Sequence, residues 1–292
     1  MSAVAILIVN YRTYQPLSVC LASLQPHLRA GDEVVVVDWV QDHAAAAGVR
    51  AAFPAVTWVG RDDNRGFAAG VNLAARASRA PVIVLLNPDA VVEGPLPSVL
   101  ASCLDADPTI GVVGPRVLNA DGTVQESARR FPGASTALGG RSTWLTRHFP
   151  NNPFTRWNLR TREAERDGHA TVDWLAGSCF ATRRTVFDAV GGLDEGFFMY
   201  WEDADFCRRV GATGVRCVYA PAVTVRHTGG VSSAQNVGPS IRAFHRSAFR
   251  LYWKHAGWTR VLAPVVWLGL RLRGEIRVWA AQVAGGARTA AW

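Results

Sequence analysis

Cysteine is scarce and poorly spaced. The chain has five, at positions 20, 103, 179, 207 and 217, an odd number with no CxxC pair. That excludes a cysteine-ligated metal site, and reduced, mostly buried thiols of a cytoplasmic protein fit best. Long apolar runs are also missing. The longest candidate, Val261 to Leu270, contains Pro264 and falls short of the roughly 18 residues that a membrane-spanning helix needs. The first ten residues have no basic leader and turn polar after a short apolar run, so they read as a buried strand and not as a signal peptide. No GxGxxG follows that run and no P-loop signature occurs, which weakens dinucleotide and P-loop readings. Charged residues make up 18% and apolar ones 49%, the balance of a folded protein and not of a disordered one.

Charge of one sign is nearly absent from the C-terminal end. Of 31 Lys/Arg and 23 Asp/Glu, ten basic residues but one acid, Glu275, lie between Arg226 and Trp292. That end carries +9 of a net +8 and the remainder −1, which points to an anionic surface as partner. Arg242, Arg246, Arg250 and Lys254 recur every fourth residue, a basic stripe if the segment is helical. The next segment, 259–283, mixes Val, Leu and Trp with Arg271, Arg273 and Arg277. Basic amphipathic helices of this kind lie on anionic membranes; a solvated face with core contacts fits equally. No nucleic-acid-binding motif accompanies the stripe, so no nucleic acid is expected.

What is present is a rhythm. Residues 4–10, 34–38, 56–60 and 81–87 are short continuous apolar runs, separated by helix-compatible stretches at 16–28, 42–52 and 67–79. Continuous apolarity indicates strands buried on both faces, and the alternation predicts an α/β fold with a mostly parallel sheet. Three of these strands end on Asn10, Asp38 and Asn87, and ligands in such sheets bind at the carboxyl ends of strands. Asn119-Ala120-Asp121-Gly122 signals a turn. Residues 126–170 read as a long excursion. Strands return at 171–176, 179–182 and 215–219, with a helix starting near Trp201.

Chemistry concentrates in a few places. Glu202, Asp203 and Asp205 crowd into four positions; either they serve a helix N-terminus or chemistry needs them. Asp89 follows an apolar strand, where an acid either ends a turn or holds Mg2+ or Mn2+. His227 follows the alternating run Val223–Arg226 and bears on a metal only if it converges with Asp89. Asn64-Arg65-Gly66 opens a small-residue helix suited to close backbone approach or phosphate contact. The aromatics Trp157, Trp174, Phe197, Phe198, Tyr200 and Trp201 either stack on sugar rings or fill the core.

In order along the chain stand Ile8-Val9-Asn10-Tyr11, Val35-Val36-Val37-Asp38, Asn64-Arg65-Gly66-Phe67, Leu86-Asn87-Pro88-Asp89, Trp174-Leu175-Ala176-Gly177, Gly191-Gly192-Leu193-Asp194-Glu195, Glu202-Asp203-Ala204-Asp205 and His227. Over roughly residues 4–255 this resembles the family-2 inverting glycosyltransferases of GT-A fold, bacterial rhamnosyltransferase-like members above all. The resemblance implies a catalytic domain over 1–230, with a nucleotide-sugar half (1–115) and an acceptor half (116–230), and a basic helical segment over 231–292. It implies a nucleoside diphosphate sugar donor, dTDP-rhamnose as best guess. The implied acceptor is a glycan, lipid-linked or natural-product hydroxyl, and the place of work the cytoplasm, at the inner face of the cell membrane.

By the same resemblance Asn10, Tyr11, Asp38, Asn64, Arg65, Gly66, Asn87 and Asp89 contact the donor, Asp38 through the base. Asp203 is the catalytic base with Glu202 beside it, and Asp89 and His227 hold a divalent cation. Trp174, Gly177 and Trp201 border the acceptor. The chain departs from the family pattern at Trp39-Val40-Gln41, which follows Asp38. Two other classes stay open. One is a glycoside hydrolase, although adjacent carboxylates on a helix do not face one another. The other is a non-catalytic sugar-nucleotide or glycan-binding protein.

Overall fold

The computed structural model describes residues 1–39, 42–133, 148, 149, 152, 161, 165, 168–229 and 236–283. Trp157 and most of the excursion expected over 126–170 lie outside the described residues. The first half runs β1 (Val4–Tyr11), α1 (Tyr14–Leu24), β2 (Glu33–Trp39), α2 (His43–Ala52), β3 (Thr57–Arg61), α3 (Phe67–Arg76) and β4 (Val82–Leu86). These four strands pair in parallel in the order β3-β2-β1-β4. Their continuous apolarity has a visible cause. Ala5, Leu7 and Val9 of β1 join one core layer with Ala68 and Val71 of α3. Val4, Ile6 and Ile8 join another, with Leu17 and Leu21 of α1.

The second half adds β5 (Ala90–Glu93), α4 (Leu96–Ala106), β6 (Ile110–Leu118), β7 (Ala128–Arg129), β8 (Ala170–Val172), β9 (Trp174–Leu175), β10 (Cys179–Arg183), α5 (Arg184–Ala189), α6 (Glu202–Gly211) and β11 (Arg216–His227). Here the sheet becomes mixed. β10 pairs antiparallel with both β4 and β6, β6 pairs parallel with β11, and β5 and β8 pair antiparallel with β11. Two direction changes cancel, so β6 and β11 run the same way as β4. The carboxyl ends of β1, β2, β4, β6 and β11 and the amino end of β10 therefore share one edge. Asn10, Asp38, Asn87, Ser178 and His227 meet there for that reason.

Two long helices follow, α7 (Val237–His255) and α8 (Ala263–Val283), joined by a 3-10 turn over Gly257–Leu262. Three of the four members of the α7 stripe meet acids of the chain itself. Arg250 and Lys254 pair with Asp194, and Lys254 and His255 with the fully buried Asp205 of α6, at 2.7–2.9 Å. Arg242 pairs with Glu275 of α8 at 2.8 Å. The stripe is a clamp, because acids distant in sequence are brought opposite it. Burial alone would raise Asp205; hydrogen bonds from Lys254, His255 and Arg209 outweigh it and hold the carboxyl below its usual range.

Candidate active site

At the β4 end, Asn87 donates its backbone N–H to the Ser178 carbonyl at 3.0 Å, so β4 and β10 enter the site side by side. Asp89 follows, and His227 closes β11 against it: Nε2 lies 3.2 Å from Asp89 Oδ1 and 3.0 Å from Asn87 Nδ2. The convergence on which His227 depended is thus present.

The imidazole is oriented from behind. Gln125 spends its amide N–H on Asn119 Oδ1 at 3.0 Å, and Asn119 spends its own on Thr123 Oγ1 at 2.9 Å. Gln125 Oε1 is thereby turned to His227 Nδ1, 3.1 Å away. Nδ1–H donates to it, which leaves the Nε2 lone pair facing Asn87 and Asp89. A carboxylate oxygen and an imidazole nitrogen 3.2 Å apart are donor types that suit Mg2+ or Mn2+. Among the described residues no group of three or more His, Cys, Asp or Glu gathers to hold a metal. Cys20, whose thiol donates to the Asn87 carbonyl, is no ligand. Burial pushes its thiol up to about 12, Asp89 adding to the effect.

Asp203 sits one residue along the same edge. Gly177, next to Ser178, donates its N–H to Asp203 Oδ2 at 2.8 Å, and the Ala204 N–H donates to Oδ1 at 2.8 Å. Burial raises both carboxyls of the pair. They differ in support: Asp203 accepts two N–H bonds, whereas Glu202 Oε2 is buried without a partner and feels the charge of Asp203. Glu202 therefore keeps its proton longer and Asp203 is the member that ionises.

The segment before α6 is strained. Tyr200 and Trp201 both have left-handed backbones, φ +71° and +70°, a conformation side chains rarely adopt and one that clusters at functional sites. Phe244 of α7 packs on both rings, and Trp201 leaves its indole N–H buried and unpartnered. Trp174 lies 5.9 Å from the Trp201 ring, under the Arg129 guanidinium, with its N–H on the Arg130 carbonyl. It backs the wall more than it offers an open face.

The residues expected at the donor fall into two groups. Asn10 and Asp38 are fully buried, and Asn10 Nδ2 donates to Asp38 Oδ1 at 2.8 Å. Tyr14 donates to Asp38 Oδ2 at 3.1 Å, and Arg50 approaches to 3.8 Å. Burial raises Asp38 despite these partners. Asn64 Oδ1 accepts the Gly66 N–H, and Gly66 takes φ +93° with a Cβ position blocked by the Phe198 carbonyl. Phe67 N–H donates to that carbonyl at 2.8 Å, so the start of α3 is tied to the segment leading to Asp203. Trp39 is buried and donates its indole N–H to the Gly66 carbonyl at 3.1 Å; Val40 and Gln41 lie outside the described residues. Tyr11 is half-buried beside Arg12, and Arg65 leans on Glu195 at 3.4 Å.

A family model described as "Glycosyltransferase like family 2" matches residues 2–249. The N-acetylglucosaminyl-diphospho-decaprenol L-rhamnosyltransferase of Mycobacterium tuberculosis is 36% identical over 198 residues, 66% of this chain and 61% of that relative. The chain thus spans less than two thirds of that relative's length. The rhamnosyltransferase WbbL of Escherichia coli is 39% identical over 79 residues, 27% of this chain and 30% of its own. Among solved structures, the mannosyltransferase PcManGT of Pyrobaculum calidifontis, in complex with GDP-Man and Mn2+, shares the fold at TM-score 0.57 and 20% identity. That match covers 99% of this chain and 77% of that one. GalNAc-T7 with UDP, GalNAc and Mn2+ gives 0.58 at 16% identity over 78% and 44%.

Proposed function

The chain belongs to glycosyltransferase family 2, and from that premise we propose that it transfers L-rhamnose from dTDP-rhamnose, with inversion, to a hydroxyl of a lipid-linked glycan. Relatives named as rhamnosyltransferases, one for a decaprenol-linked acceptor, support the donor and acceptor. The observation that carries the reading is the meeting at one sheet edge of a carboxylate held by backbone N–H groups, Asp203, with the Asn87–Asp89–His227 group. We assign the donor to residues 1–115 and the acceptor to 116–230, at the cytoplasmic face of the membrane.

A hydroxyl is a weak nucleophile, so Asp203 takes its proton as the new C–O bond forms. Glu202, retaining its own proton, keeps a second negative charge away from that step. Asp89 and His227 would hold a divalent cation, which would supply charge stabilisation to the departing diphosphate. Asn10, Tyr11, Asn64, Arg65, Gly66 and Asn87 form the donor wall. Asp38 contributes by fixing Asn10 and Tyr14, since both its oxygens are engaged within the protein. Gly177 and Trp201 border the acceptor, with Trp174 packed against Trp201. A single displacement on the β-L donor gives an α-L-rhamnoside.

The test is a panel of nucleoside diphosphate sugars with and without Mn2+, read first by thermal shift, since ligands of the native state stabilise it. Transfer to an N-acetylglucosaminyl-diphospho-lipid is read next, with the product anomer determined by NMR. A Mn2+-dependent shift and transfer with dTDP-rhamnose are expected. Sugar release that needs no nucleotide would make the protein a hydrolase, and donor binding without transfer a binding protein.

A further inference from the structure

Helix α8 has two unlike faces. Ala263, Gly274, Val278 and Ala281 are buried. Val278 and Ala281 pack with Ile241 of α7, and Gly274 lies against the His245 ring. On the opposite side stand Val265, Leu268, Leu272, Ile276, Trp279 and Val283, each between 50% and 72% exposed. At 3.6 residues per turn these six fall within a sector of about 80°. Their spacings of three and four follow a straight helix, so the stripe runs unbroken for about 27 Å. Near its amino end it continues into an apolar cleft of about 620 Å³ lined by Phe249, Trp253, Val261, Pro264, Trp267 and Leu268.

A contiguous apolar face of this length marks an interaction surface. Its borders identify the partner. On the helical wheel Arg271 flanks one side and Arg273 and Arg277 the other. Glu275, the one acid of α8, is engaged by Arg242 through two hydrogen bonds of 2.8–2.9 Å. A second copy docked on the stripe would bring the arginines of one α8 against those of the other. An anionic bilayer presents the complementary charge together with an apolar layer.

We propose that α8 lies along an anionic lipid surface, with the stripe at the headgroup–acyl boundary and an acyl chain in the cleft. It lies along the surface because no described helix is long and apolar enough to cross one. The contact is one helix away from the chemistry. In α7, Ser247 donates to the Met199 carbonyl at 2.9 Å, and Phe244 packs on Trp201, two residues before Asp203. This deepens the lipid-linked-acceptor reading but needs neither donor nor acceptor to be tested, so the two fail separately.

The experiment is co-sedimentation of the full chain with phosphatidylcholine vesicles and with phosphatidylcholine–phosphatidylglycerol vesicles, at low and raised salt. Binding to the anionic vesicles, weakened by salt, is expected. Arg273→Gln should lower partitioning by about fivefold, and the double variant Leu272→Glu/Ile276→Glu should abolish it. Both changes face solvent, so the thermal midpoint should hold. Equal affinity for neutral and anionic vesicles, no binding by folded protein, or a dimer in sedimentation velocity that the double variant dissociates would each overturn the proposal. Transfer to a soluble acceptor without vesicle binding would overturn it and leave the transferase reading standing.

Discussion

At the scale of the residue, Asp203 and Gln125 contrast. Asp203 is conspicuous in the sequence, one of three acids in four positions. Its structural surroundings, burial against two backbone N–H donors beside a second carboxyl, suit a base that ionises above the ordinary carboxylate range. Asp203→Asn keeps the shape and loses the proton acceptor. Turnover should fall by about 10²–10⁴-fold with donor affinity little changed, measured by kcat and by calorimetric titration of the nucleotide sugar. In the wild type, activity should fall on the acid side through a pKa above the ordinary carboxylate range, because burial raises Asp203. Gln125 gave no signal. A relay of neutral groups from the Thr123 hydroxyl through the Asn119 and Gln125 amides to His227 has no charge, spacing or periodicity to betray it. Gln125→Leu removes the acceptor that fixes the imidazole and should weaken Mn2+ binding in the presence of a nucleoside diphosphate by about 10–100-fold, read by electron paramagnetic resonance. Gln125→Glu restores an acceptor and should recover most of that affinity.

At the scale of the element, β1, β2 and β4 are legible because each is buried on both faces, and burial of that kind writes itself as an unbroken apolar run; β3, at the sheet edge, is exposed or half-buried throughout. β6 escaped notice for the opposite reason. Gly111, Gly114 and Pro115 interrupt its apolar pattern, yet the glycines are what the packing requires. A Cβ at Gly111 would collide with Val215, and one at Gly114 would press on Leu175. The stripe on α7 shows another limit. A four-residue period establishes that Arg242, Arg246, Arg250 and Lys254 share a face, but not that Asp194 and Asp205 are what that face meets. The opening of α3 behaves as a joint to the segment that leads to Asp203, through Gly66 and the Phe198 carbonyl. Gly66→Ala should destabilise the fold by at least about 2 kcal/mol, from left-handed strain plus overpacking, and differential scanning calorimetry would register it. An unchanged midpoint would show that the joint yields at no cost.

At the scale of the molecule, the α7 clamp ties the segment that follows residue 230 to Asp194 and Asp205 of the preceding segment. The clamp also predicts how the protein responds to acid. Burial alone would raise Asp194; Lys254, the Gly196 N–H and Arg250 instead hold it down at about 2. A carboxyl depressed in the folded state stabilises the protein above its unfolded pKa of about 3.9 and loses that contribution as pH falls toward about 2. The urea midpoint of Asp194→Asn should therefore lie below that of the wild type at neutral pH, and the gap should close between about pH 4 and pH 2. The outward stripe of α8 has a kinetic consequence. A protein lying on a bilayer meets a lipid-borne acceptor by lateral diffusion in two dimensions. Its rate should then follow the mole fraction of acceptor among the surrounding lipids, and diluting that acceptor with inert lipid should slow turnover even when the total amount of acceptor in the tube is unchanged.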